Sequence, residues 1–222
     1  AEDTGASDTA AALVISDTAM TGGTSRFQID AAAGAATAIN TRSMVVDEIA
    51  LSYTIANNET FLVASGQNIV VAADTTTGDI NATAPAVAGN SLTVTVEDDA
   101  VATSANDVNG GITTTNVATL NIAALDAANS TAGGIVMGAV NVGTANAVVL
   151  TGSANMTVAS ATAATFNASA YTGALVVSDI NQGGVAVFTG GSGADAFTST
   201  ADEDFSVDGG AGLDTLTLAA QD

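Results

Sequence analysis

The sequence contains no cysteine, no histidine, no lysine and no tryptophan, and its only bases are Arg26 and Arg42. Each absence removes a class of chemistry. Without Cys or His there is no disulfide, zinc–thiolate site or haem ligation. Ser–His and Cys–His nucleophile systems, Lys Schiff bases and P-loop lysines are excluded as well. Against the 2 arginines stand 23 acids, a net charge of -21. Nucleic acid needs a basic footprint, so such a partner is not expected. Anionic membrane surfaces are disfavoured for the same reason. The longest apolar runs, Ala10 to Ile15 and the Gly-containing Ile135 to Val140, fall far short of the roughly 20 residues that span a bilayer. No Lys- or Arg-led leader precedes them, as in a mature or mid-protein sequence.

Proline occurs once and aromatics make up 4%, yet apolar residues reach 47% of the 222 residues. Much of that is alanine, so the core must be thin and built from small side chains. The Val, Ile and Leu content still buries enough surface to fold a chain this charged. Abundant acid without Cys or Lys reads as an extracellular prokaryotic protein.

Charge divides the chain. Residues 1–110 hold 14 acids and both arginines, net -12; residues 111–189 hold only Asp126 and Asp179; residues 190–222 hold seven acids and no base. The first part predicts strands at Leu13–Ile15, Met44–Ile55, Thr60–Ala64, Ile69–Ala73 and Leu92–Val96. In the last, strict alternation puts Leu92, Val94 and Val96 on one face and threonines on the other. Spacing of about ten residues with Gly, Asn and Asp turns points to an N-terminal β-sandwich-like domain over 1–110. Asp30 to Ile39 is Ala-rich and fits a short helix capped by Asp30. Residues 1–20, a polar leader before a short apolar strand, suit an extended assembly arm.

The second part, 111–222, predicts short strands at Ala118–Ile122, Ile135–Met137, Ala147–Leu150, Met156–Ala159, Leu175–Val177 and Val185–Phe188. Asp126–Met137 resembles Asn167–Val177, and the interval between them is close to two turns of a coil with about 20 residues per turn. A β-solenoid or β-roll follows, its coil faces buried by their neighbours; a second sandwich with similar turns is the alternative. The class is all-β either way, with a boundary near 100–112.

Two nonapeptides carry the chemistry: Gly190-Gly191-Ser192-Gly193-Ala194-Asp195-Ala196-Phe197-Thr198 and Gly209-Gly210-Ala211-Gly212-Leu213-Asp214-Thr215-Leu216-Thr217. Both fit GGxGxDxUx at every defined position. The glycines permit tight turns that aim carbonyl oxygens inward. Asp195 and Asp214 add charged oxygens, while Phe197 and Leu216 enter the core. Calcium takes six to eight hard oxygens, which two stacked loops can supply. The copies start at Gly190 and Gly209, close to two nonapeptide lengths apart, so the loops should stack one coil apart. Asp202, Asp204 and Asp208 stand at the loop edges as further ligands. Two ordinary glycine turns with solvated aspartates are the plainer alternative. The joint offers a second candidate set in Glu97, Asp98, Asp99, Asn106, Asp107 and Asn109, where a solvated acidic turn is preferred.

With these motifs the chain resembles the RTX family of secreted bacterial proteins, closest in character to RTX surface-layer proteins and large RTX adhesins. Strict motifs cover 190–217; looser likeness reaches back to about 120, and Leu92–Asp99 looks like the end of an Ig-like adhesin repeat. The resemblance implies type I secretion, folding on meeting Ca2+ outside the cell, and assembly on its surface. Only two full repeats are present, and no secretion tail is evident, as in a processed chain or a fragment. Catalysis is not expected: the middle region, 111–189, has only its two acids and no base. The expected function is a self-assembling surface-layer or filament subunit whose partner is itself. The alternative is a non-catalytic adhesin or module binding cell-surface glycan.

Overall fold

A computed structural model describes residues 25–29, 38–52, 55, 58–71, 75–76, 78–98, 107–126, 134–180, 186–200 and 204–219. These residues are all-β, without a helix. Their strands are β1 (Arg26–Ile29), β2 (Ile39–Asn40), β3 (Glu48–Leu51), β4 (Glu59–Leu62), β5 (Gln67–Val71), β6 (Thr75–Thr76), β7 (Ile80–Thr83), β8 (Ser91–Asp98) and β9 (Asp107–Thr115). There follow β10 (Thr119–Asp126), β11 (Ile135–Gly152), β12 (Met156–Tyr171), β13 (Leu175–Val177), β14 (Ala186–Thr189), β15 (Ala196–Ser199), β16 (Phe205–Asp208) and β17 (Thr215–Leu218).

Every pairing among them is parallel, and the pairings form three register ladders. One runs β1, β3, β5, β8, β10, then the second half of β11 and of β12, β14 and β16. A second runs β2, β4, β7, Ile112–Thr115 of β9, Ala139–Asn141 of β11 and Ser160–Thr162 of β12, and reaches Ile180. A third runs β6, Asp107–Val108 of β9, Val136–Met137 of β11, Met156–Val158 of β12, β13, β15 and β17. The chain visits the ladders in a repeating order, so each pass adds a rung to those it crosses. Rungs are longest mid-chain, where Thr119 faces Ala147. They shorten to an even length toward the C-terminus, where Met156 faces Leu175 and Ala196 faces Thr215.

Alternation decides what each strand buries. Ile49, Ile69, Val94, Ile122 and Leu150 occupy one register column and are all buried. Burying one such side chain contributes about 1.5–3 kcal/mol, and a one-residue slip would turn the whole column outward. Leu92, Val94 and Val96 point inward as the alternation predicts. On the opposite face Thr95 donates from Oγ1 to Asn68 Oδ1 at 3.0 Å, tying adjacent rungs. Toward the C-terminus the filling turns aromatic: Phe188 stacks on Phe166 at 5.7 Å and meets Phe197 edge-on at 6.3 Å.

The sandwich expected over 1–110 carries antiparallel hairpins, and the described residues of that stretch do not show them. Val94 pairs with Ile69 and Ile69 with Ile49, all in parallel. Alternating apolar residues mark a half-buried strand but not the direction of its partner, which explains the difference. The ladders also continue past the stretch between Asp98 and Asp107, since β10 pairs with β8 and β9 with β7. Residues 1–20 and nearly all of the Asp30–Ile39 helix expectation lie outside the described residues; Ile39 itself begins β2.

Candidate metal centre

The two nonapeptides form corners that lead into β15 and β17. Phe197 pairs with Leu216, its counterpart in the second nonapeptide, so the corners stack one rung apart as their spacing predicts. Direct rung-to-rung hydrogen bonds join them: Ala211 N–H donates to the Gly191 carbonyl at 2.9 Å and Thr215 N–H to the Asp195 carbonyl at 2.8 Å. Gly190 N–H donates to the Asp208 carbonyl at 2.7 Å. The stacking is too close for side chains. A Cβ on Gly212 would lie 2.0 Å from the Gly193 carbonyl oxygen, and one on Gly193 would lie 2.2 Å from the Gly173 carbonyl oxygen. Gly212 also has φ +130°, which L side chains rarely adopt.

The aspartates do a particular job in this stack. Asp195 is 1% exposed and sits in a register column with Met156, Leu175 and Asp214. Its Oδ2 accepts the Gly191 N–H at 2.7 Å, and its Oδ1 accepts the Leu175 N–H from the preceding rung at 2.9 Å. One rung on, Asp214 Oδ1 accepts the Asp195 N–H at 2.9 Å. Each carboxylate thus holds the N–H at its own register position in the rung before. Asp208, exposed at the end of β16, accepts the Gly210 N–H at 3.1 Å in a local turn. Beneath the corners Tyr171 is fully buried and donates its hydroxyl to the Ala154 carbonyl. Burial, with the Asp195 charge adding to it, pushes the Tyr171 phenol well above its ordinary pKa.

The donor set is all oxygen: carboxylates of Asp195, Asp208 and Asp214 and the glycine-corner carbonyls. That is the ligand chemistry of a hard cation such as calcium, and the residues fit it in kind. The Asp195 oxygens each already take one N–H, but a carboxylate oxygen has two lone-pair directions. Among the described residues no three acidic side chains converge as a ready-made cage, so any ion there would depend on backbone carbonyls.

The remaining sequence candidates are placed elsewhere. Gly190, Gly191 and Asp195 are buried, Gly193, Gly209 and Asp214 half-buried, and Ser192, Gly210, Ala211, Gly212 and Asp204 exposed. Asp98 closes β8 opposite Asp126, and Asp107 and Asn109 lie in β9, which pairs with β11; none is on a rung of the C-terminal corners. Asp99 and Asp202 lie outside the described residues.

One corner escapes motif matching. Thr172-Gly173-Ala174-Leu175 occupies the rung before the first nonapeptide, with leucine at the aspartate position. Asn155 supports it by accepting the Ala174 N–H on Oδ1 at 3.0 Å. Its visible signal is the Thr-Gly-Ala-Leu spacing matching Ser-Gly-Ala-Asp of the next rung.

No protein-family model, no curated protein and no solved structure matches this chain.

Proposed function

We propose that this chain is a calcium-stabilised, self-assembling structural subunit of a bacterial extracellular surface layer or filament. In this reading the ladders wind as one β-solenoid, and its last corners are RTX-type calcium corners. The observation that carries it is the stacking of two complete glycine nonapeptides with Asp195 and Asp214 in one register column. Asp195, Asp208, Asp214 and the glycine-corner carbonyls would hold the ion. Bound there, calcium would neutralise a segment, residues 190–222, that carries seven acids and no base.

Assembly outside the cell agrees with a composition that lacks Cys, His and Lys and with rungs built for stacking rather than for a cleft. The testing experiment is chelation. EGTA should unfold at least residues 185–222, read as lost β-signal in circular dichroism, and should disperse assemblies seen by electron microscopy. Unchanged dichroism and particle size would overturn the calcium claim. Dispersed particles that bind glycan instead would make the chain an adhesive module.

A further inference from the structure

Among the described residues one ladder is unpaired at both ends: β1 pairs only with β3, and β16 only with β14. The core tells the same story. The hydrophobic side chains that pack against it while only partly buried are Ile29 and Ile39 in the first strands and Phe205 and Val207 in β16. At the C-terminal end Leu213, Leu216 and Leu218 are exposed by 86%, 47% and 61%, although Leu216 occupies the register position of buried Phe197.

Charge distinguishes the two ends. Both arginines of the chain stand at the first: Arg26 in β1 and Arg42 just after β2. The last rungs carry Asp204 and Asp214 just before β16 and β17, Asp208 at the end of β16, and no base. One outward-facing register column opens with Arg26 opposite Glu48, held by a 2.7 Å ion pair, and closes with Thr189 opposite Asp208. Within the chain this column already pairs a base with an acid between rungs.

We propose that the edge of β16 receives the β1 edge of a second copy of this chain, in parallel, so that this ladder continues from molecule to molecule. The proposal rests on the self-assembling reading above and gives it a direction. A bare strand edge is a template for another strand. Joining unlike ends sets Asp208 beside Arg26, whereas joining two C-terminal ends would set acid on acid. A head-to-tail contact that does not close on itself yields an open filament.

The chain has no cysteine, so introduced thiols report this contact alone. Paired strands lie about 5 Å apart, close enough for a disulfide between facing positions. The Arg26→Cys/Asp208→Cys double variant, assembled with calcium and oxidised, should give a ladder of covalent multimers on a non-reducing gel. Each single variant should give dimers at most. Arg26→Glu, with unchanged circular dichroism, should raise the concentration needed for assembly at least tenfold. Assemblies visible by electron microscopy in which the double variant forms no multimers, and which Arg26→Glu leaves intact, would overturn end-to-end stacking while leaving self-assembly standing. A chain that stays monomeric at every concentration with calcium would overturn both.

Discussion

The Asp195 carboxylate accepts the backbone N–H of Leu175 at 2.9 Å, across one rung of the stack. Leucine and aspartate share a register column here, so a charged side chain occupies a position that the rung before fills with hydrocarbon. Burying it is tolerated because backbone donors meet both of its oxygens.

Removing that carboxylate leaves the Gly191 and Leu175 N–H groups without acceptors in a buried corner. Asp195→Ala should therefore cost about 3 kcal/mol in saturating calcium, from hydrogen bonds to a charged group and unsatisfied donors. Asp214→Ala, whose carboxylate is half-buried and takes one N–H, should cost about 1 kcal/mol by the same loss. Urea unfolding of both variants in saturating calcium is the measurement, since equal losses would mean that the two carboxylates act only as shared metal ligands.

The glycine corners are expected to differ sharply from ordinary glycine turns. Gly212→Ala would drive a Cβ into the Gly193 carbonyl, so a loss above about 3 kcal/mol is expected, as for other strained backbone sites. Gly66 has φ +83° but open space around it, so Gly66→Ala should cost only about 1–2 kcal/mol of left-handed strain. Thermal unfolding of the two variants side by side is the measurement. Equal shifts would show that the corners are not tightly stacked.

Glu59 supplies a pH dependence. It is 3% exposed and lies in register with Ile80, and burial raises its pKa above the ordinary glutamate value of 4.5. A raised folded-state value favours the protonated form in the fold. The associated stability is complete below the unfolded value and is lost as pH rises through the folded one. Glu59→Gln should therefore be more stable than the parent at pH 7, by about 1 kcal/mol or less, and should lose this advantage near pH 4. Urea midpoints of both chains at the two pH values decide it.

Much of this architecture is legible in residue order. Period-two alternation marks β8, and the apolar triplets mark β13 and the start of β11. The interval from Gly190 to Gly209 sets the spacing of the last rungs. The likeness of Asp126–Met137 to Asn167–Val177 spans two of them, from Val136 through Thr157 to Val176. The pairing of the first half is not legible, because Ile49, Ile69 and Val94 would alternate in the same way in an antiparallel sheet. The Gly173 corner is hidden because its leucine breaks the motif that defines the other two.

Sequence alone therefore determined the all-β class, the glycine corners and their interval, since these follow from local backbone geometry and side-chain periodicity. Tertiary structure decided strand direction, the column that places Asp195 over Leu175, and the use of its carboxylate by backbone donors. The physical reason is distance along the chain: the partners of each rung lie a full coil away, where only packing against the neighbouring rungs selects them.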